Sequence, residues 1–246
     1  MTTGARADVC IVGGGPAGAA LAIRLAQLGR RVVLAERRRV PRHRLGESLN
    51  PGVWAQLDLL GAREAVARAG FRPCRRVLMR WDSGDEEARD FAGQPGLLVD
   101  RERFDALLLD GARAHGVRVL QPAAIRGRRH NGDGWSLAVE TGGRTHRLEA
   151  DFLAIATGRS AAPHSGRHVV GCRTIALYAD WQGAGLPAEP RLEAGDAAWY
   201  WGMPLPDGRY STLAFVDTAW LKCNRAASPG RLFDRLMAHS RLLACC

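Results

Sequence analysis

Over the N-terminal stretch the apolar positions change period twice. Asp8 to Val12 is a short apolar run of strand type, and Gly13 to Gly15 break it. From Ala19 to Leu28, the residues Ala20, Leu21, Ile23, Leu25 and Leu28 recur at helical spacing with Arg24 and Gln27 between them. Gly29 follows as a stop signal, and Pro16 suits the first helical turn, where its missing N–H costs nothing. Arg31 to Ala35 is again a β-branched run, ending at Glu36. Strand, helix and strand in this order predict a βαβ unit and a parallel sheet.

A basic loop, Arg37 to Asn50, leads to a helix expected from Pro51 to about Leu60. Strands are expected over Arg75 to Trp81 and Leu97 to Asp100, on either side of the acidic stretch Asp82 to Asp90. Arg101 to His115 is an amphipathic helix with Phe104, Leu107 and Leu108 on one side, closed by Gly116. Short strands then alternate with turn signals: Val117 to Leu120, Trp135 to Thr141 and Thr145 to Leu148, punctuated by Asn131-Gly132-Asp133-Gly134 and Gly142-Gly143. They read as a β-meander over about 117–148, inserted before a buried strand from Phe152 to Ala156. Beyond Ser165 the pattern predicts strands over Val169 to Trp181, Ala198 to Pro204 and Tyr210 to Asp217. A last helix is expected from its cap Ser228 and Pro229 to about Leu243. The fold class is α/β, with a Rossmann-like domain over 1–165 that carries the inserted meander and a strand-rich lobe with a terminal helix over 166–246.

Composition narrows the picture. The 246 residues are 46% apolar, enough for a sizeable core. Apolar stretches break well before the ~20 residues a membrane span needs. Met1 to Ala7 has no signal-peptide core, so a cytoplasmic protein is expected. The net charge of +10 is carried almost entirely by arginine, Lys222 being the single lysine, and it is spread along the chain. That distribution argues against a nucleic-acid face and for an anionic cofactor, substrate or acidic partner. Of the six cysteines none are spaced C-x-x-C, and Cys10 sits in the first apolar run, so neither a metal site nor a disulfide framework is expected.

Gly13-Gly14-Gly15-Pro16-Ala17-Gly18 fills the G-x-G-x-x-G pattern between a strand and a helix, with Glu36 closing the next strand. Context gives the pattern its meaning. Gly13 makes the tight turn, Gly15 lets backbone approach a pyrophosphate, and Gly18 allows close helix–strand packing. The helix N-terminus that Pro16 opens directs N–H groups, from Ala17 onward, at the phosphates, and Glu36 accepts from ribose hydroxyls. Glu36 favours a free ribose, although Arg37 to Arg39 keep a phosphorylated one open.

Four further segments resemble flavin-dependent halogenases and their monooxygenase relatives, including flavoprotein maturases that oxidise tryptophan in peptidyl quinone cofactors. Leu45-Gly46-Glu47-Ser48-Leu49-Asn50-Pro51-Gly52 is similar to the family's G-E-S loop. Val99-Asp100-Arg101 with Phe104-Asp105 resembles its V-D-R-x-x-F-D helix start, and Ile155-Ala156-Thr157-Gly158-Arg159-Ser160 its strand end. Trp199-Tyr200-Trp201-Gly202-Met203-Pro204 is close to the halogenase W-x-W-x-I-P. The resemblance implies FAD as cofactor and adds Glu47, Ser48, Arg101, Thr157 and Gly158 to the cofactor-binding set of Gly13, Gly15, Pro16, Ala17, Gly18, Glu36 and Arg37. Each addition has a plain structural reading too: a helix cap for Glu47-Ser48, a surface arginine for Arg101, a strand-end turn for Thr157-Gly158. Trp199 and Trp201 alternate on one strand, so they share a face that either walls a substrate cavity or packs in the core. His43 is an acid–base candidate or a solvated loop histidine.

The resemblance implies an FAD-dependent monooxygenase acting on a small-molecule or protein-bound aromatic such as tryptophan, supplied with electrons by NAD(P)H or a flavin reductase. A halogenase, a prenyl-type reductase, and a non-catalytic FAD-binding fragment are the alternatives. Lysine-dependent halogenases carry a lysine in the strand that Arg75 to Trp81 resembles, and none stands there. Relatives also finish the flavin site with a later apolar strand and a Gly-Asp pair. Here Gly195-Asp196 reads as a hairpin turn, so the chain is expected to stop before the fold is complete.

Overall fold

The structure is a computed structural model in which residues 5–39, 47–81, 84–158, 170–196, 198–224, 228–244 and 246 are described. The chain begins with β1 (Ala5–Val12), α1 (Pro16–Gln27), β2 (Val32–Ala35), β3 (Glu47–Leu49), α2 (Val53–Leu59) and α3 (Arg63–Arg68). There follow β4 (Arg72–Cys74), β5 (Arg76–Trp81), β6 (Glu87–Asp90), β7 (Gly96–Val99), α4 (Arg101–Ala114) and β8 (Arg118–Leu120). The remainder is β9 (Ala124–His130), β10 (Trp135–Thr141), β11 (Arg144–Ile155), β12 (Thr174–Trp181), β13 (Arg191–Ala194), β14 (Trp199–Pro204), β15 (Tyr210–Asp217), α5 (Thr218–Cys223) and α6 (Pro229–Met237).

The chain forms two compact units that interleave in sequence. The first comprises Met1–Arg44, Ala55–Ala69 and Arg101–Arg167, the second Leu45–Trp54, Gly70–Asp100 and His168–Cys246. This division departs from a single cut near Ser165. The stretch 70–100 groups with the later residues because β5 pairs in parallel with β13, a contact between distant segments that no local pattern announces.

The first unit is built on a sheet of order β8-β2-β1-β11-β10-β9. Strands β8, β2, β1 and β11 run parallel, and β9, β10 and β11 form the antiparallel meander. Three expectations are corrected here. Val117 to Leu120 lies outside the meander, since β8 pairs in parallel with β2. The two strands expected over Thr145 to Leu148 and Phe152 to Ala156 are one strand of 12 residues, β11. The charged residues that interrupt its apolar pattern are paired rather than turned out of the strand: Glu149 with Arg147, and Asp151 with Arg6 at 2.8 Å. Between Leu120 and Trp135, where no strand was expected, Ala124–His130 forms β9 and carries Arg128 and Arg129.

Helix α1 lies against β1, β2 and α4, and its Ala19, Ala22 and Ile23 are fully buried. Burying Ile23 alone contributes roughly 1.5–3 kcal/mol. Cys10 belongs to the core beneath, as its place in the first apolar run predicted, and burial pushes its thiol up to about 12.

The second unit holds a sheet of order β12-β15-β14-β13-β5-β6 and a smaller one of order β3-β7-β4. Cys74, Val77, Leu98, Met203 and Leu205 form a cluster drawn from both. The acidic stretch 82–90 contains a strand after all, because Asp90 is clamped by Arg76 while β6 pairs with β5. Leu232, Phe233, Leu236 and Met237 of α6 bury against Tyr200, Tyr210 and Ala214 of the larger sheet. Ser228 caps α6 as expected, its hydroxyl accepting from Arg231 N at 3.2 Å.

The last helix ends at Met237 and not near Leu243, and a buried carboxylate explains why. Glu193 on β13 accepts from Ser240 Oγ (2.6 Å), Leu242 N (3.0 Å), Arg241 N (3.1 Å) and Arg80 Nη1 (3.1 Å). These donors hold residues 240–242 in a turn against the sheet. Burial pushes the Glu193 carboxyl up, but the Ser240 hydroxyl, the two backbone N–H groups and the Arg80 guanidinium outweigh it and hold it below the usual carboxylate range. Arg191 Nη1 to Leu242 O (2.6 Å) and Tyr200 Oη to Leu236 O (3.0 Å) secure the same segment.

Candidate functional site

The carboxyl ends of β1, β2 and β11 meet at the glycine loop. Gly13 N donates to Ala35 O at 2.9 Å, and Ala156 N donates to Val12 O at 2.8 Å. The turn out of β1 requires glycine, because Gly13 has φ 111° and a Cβ there would lie 2.5 Å from Ala156 O. Gly18 is more constrained still, since a Cβ would sit 1.9 Å from Gly13 O. At Gly15 a Cβ would meet nothing within 4 Å, so the loop is open on that side. Gly15 also begins α1 without a side-chain cap and no acidic residue occupies the first turn, which leaves the positive end of the helix toward that opening.

Glu36 is tied to the loop. Its Oε2 accepts from Gly14 N at 2.7 Å and its Oε1 from Arg38 N at 3.0 Å, leaving further lone pairs on both oxygens. Its backbone bridges Leu120 O and Ala123 N, which brings the start of β9 to the same place.

Around the loop lies a cleft of about 620 Å³. Gly13, Gly15, Pro16, Ala17, Glu36, Arg37, Arg101, Thr157 and Gly158, all singled out from the sequence, line it. Arg101 is held in place by Asp105 through Nε–Oδ1 and Nη2–Oδ2 contacts of 3.0 and 3.3 Å. Gly18 packs beneath the loop and does not line the cleft. Arg38, one of the Arg37 to Arg39 run, lines it too, and sequence reasoning missed the wall from Ala123 to Arg128. It also passed over Gly14, where a Cβ would press on Glu36 Cβ at 2.9 Å. The nearness of Gly14 to Glu36 was implicit in the fingerprint itself; nothing local signalled the wall from β9.

Other candidates fall elsewhere. Glu47 and Ser48 stand on a strand and not in a loop, because β3 pairs with β7, and they belong to the second unit. Ser48 Oγ contacts Cys74 Sγ at 3.8 Å. His43, Gly46, Arg159 and Ser160 lie outside the described residues. Trp199 and Trp201 share one face of β14, as alternation predicts: Trp199 stacks on Phe215, and Trp201 packs against the cluster around Met203. Gly195-Asp196 forms the β13–β14 hairpin turn, with Gly195 N donating to Ala198 O at 2.9 Å. Strand β5 carries no lysine, and its two arginines are in ion pairs, Arg76 with Asp90 and Arg80 with Glu193. No helix is long and apolar enough to cross a membrane among the described residues.

This arrangement fits a dinucleotide carrying a pyrophosphate: open backbone donors at a helix start, spare acceptors on Glu36, and arginines on the rim. Comparison with known proteins identifies which dinucleotide. The chain matches the FAD binding domain family over residues 6–176. It is 32% identical over 236 residues to the tryptophan 2-halogenase of Chondromyces crocatus, covering 89% of this chain and 45% of that protein. The structure of a myxobacterial chondrochloren halogenase superposes with a TM-score of 0.86 at 26% identity, over 98% of this chain and 59% of that one. A peptidyl tryptophan dihydroxylase essential for tryptophylquinone cofactor biogenesis gives 0.71 at 28% identity, over 98% and 52%. The chain spans about half the length of the curated relatives it matches over most of its own length. With a glycine loop, a paired glutamate and a helix start in a frame shared with flavin-dependent halogenases, the chain belongs to the FAD binding domain family, and its cofactor is FAD.

Proposed function

We propose that the chain is the FAD-holding part of a monooxygenase that acts on an aromatic substrate, either a small molecule or a tryptophan carried on a protein. The observation that carries this reading is the pairing of an intact dinucleotide cleft with a β5 that offers no lysine, both of its arginines being engaged by carboxylates. When reduced, bound FAD supplies electrons to molecular oxygen, and NAD(P)H or a flavin reductase restores it. In this reading the N–H groups at the start of α1 take the pyrophosphate. Glu36 accepts from the ribose, Arg37 and Arg101 offset phosphate charge, and the backbone of Thr157 and Gly158 passes beside the cofactor. Trp199 and Trp201 contribute to an apolar wall for the substrate. Glu47 and Ser48 are assigned to the flavin end by resemblance, and His43, just before them in sequence, is the candidate for acid–base chemistry there.

The second reading is halogenation, favoured by the likeness to the tryptophan 2-halogenase. A chloride-dependent step that relies on a lysine to direct hypochlorous acid has no such residue on β5. Incubation with reduced flavin, oxygen, chloride and tryptophan, followed by mass spectrometry, separates the two. Oxygenated product without chlorotryptophan is expected; robust chlorotryptophan refutes the monooxygenase reading.

A further inference from the structure

The larger sheet of the second unit has two faces of opposite character. Arg80, Glu193 and Tyr200 share the face that α6 covers, and register places their neighbours Trp81, Ala194 and Trp199 on the other. One rung of that other face runs Trp81, Ala194, Trp199, Phe215, Ala176 across five adjacent strands. Trp199 lies flat on Phe215, with ring centroids 3.6 Å apart and planes 3° from parallel, so its ring is drawn away from Ala194. Trp81 and Trp199 remain 55% and 42% exposed. Among the described residues, strand register places the methyl of Ala194, itself partly exposed, between these two tryptophans.

Strands β5 and β14 flank β13, so the two tryptophans originate about 9.6 Å apart, two strand spacings. One ring held at van der Waals distance on both sides needs about 7 Å. A ring lying over Ala194 would continue the Phe215–Trp199 stack by one member. None of the five side chains in the rung is charged, so the rung itself offers an ionic group no partner. We propose that Ala194 floors a slot, walled by Trp81 and Trp199, that binds one planar, uncharged aromatic ring. The inference deepens the aromatic-substrate reading and rests on it for the identity of the ring.

The test uses the full chain loaded with FAD, without reductant, and indole as the probe, with binding followed by ligand-observed NMR and equilibrium dialysis. Saturable indole binding is expected. Ala194→Leu fills the slot and abolishes it, while Trp81→Ala and Trp199→Ala each weaken it about threefold to tenfold, the weight of one stacked pair. Ala176→Leu, in the same rung beyond Phe215, leaves binding unchanged. FAD content and melting temperature that match the parent chain in each variant separate loss of the slot from loss of the fold. Absence of indole binding by the folded, FAD-loaded chain overturns the slot. So does unchanged binding in Ala194→Leu, or an equal loss in Ala176→Leu. Binding is read without turnover, so a chain that binds indole through Ala194 yet forms no oxygenated product keeps the slot and loses the proposed reaction.

Discussion

Each unit carries a glutamate at a cluster of backbone donors, and the two glutamates have opposite surroundings. Glu36 takes one N–H on each oxygen, from Gly14 and Arg38, and lines an open cleft. Glu193 takes four donors, is 1% exposed, and leaves its carboxylate almost no unused capacity. A carboxylate with acceptors to spare beside a cleft is equipped for a ligand. One that is saturated and buried against a guanidinium fixes the chain. The difference is one of remaining valence more than of residue type, and it separates a recognition element from a structural fastener even though both are conspicuous polar groups near the end of a strand.

Four substitutions can break or sharpen that contrast. The largest effect is expected from Gly18→Val, which forces side-chain atoms onto Gly13 O. Both the thermal transition and flavin retention should be lost, as read by circular dichroism and by visible absorbance after gel filtration. Glu193→Ala should come next, at about 3–5 kcal/mol of stability, because it leaves a buried Arg80 without its partner. Its pH signature has a definite sign. The folded carboxyl titrates below its ordinary 4.5, so its contribution is present above that value and disappears as pH falls through the lower folded value. The melting-temperature difference between the parent chain and Glu193→Ala should be flat from about pH 8 to 5 and narrow only in stronger acid. A difference that narrows near neutrality would contradict the assignment.

Gly15→Asp should spare the fold and remove the flavin. A Cβ at this position meets no protein atom within 4 Å, but the substitution places a carboxylate where phosphates approach. Normal flavin content in a folded Gly15→Asp protein would sink the assignment of this loop. The smallest effect belongs to Glu36→Ala, which should weaken FAD by ~1.5–3 kcal/mol, the range for a hydrogen bond with a charged group. Its apo melting temperature should move far less than that of Glu193→Ala. Equal destabilisation by the two would erase the distinction between ligand-facing and saturated carboxylates.

What could be read from the sequence follows the reach of each interaction. The glycine loop, α1, β2 and Glu36 were legible because period, turn chemistry and dinucleotide chemistry agree within one short stretch. The capped start of α6 was legible for the same reason. Long-range pairing was not. β13 is short and half polar, and only its partners β5 and β14 make it a strand, so nothing in the local pattern pointed to Glu193. Glu149 and Asp151 made β11 look like two strands because their neutralising arginines are not visible as neighbours in a linear pattern. β9 was hidden by its arginines, although its first residues form a wall of the cofactor cleft.

The pairing of β1 with β11 bears on how the polypeptide is made. Val12 finds Ile155, and Ala156 supplies the N–H that completes the end of β1, so the glycine loop is unfinished while the intervening residues are still being synthesised. Domains tend to fold from the N-terminus during translation, and distant pairings close late. Here the first cofactor motif to leave the ribosome must wait for a strand encoded much further along the message. Capture of FAD by the nascent chain should therefore begin only after β11 has emerged, and stalled chains released before that point should leave the tunnel without flavin.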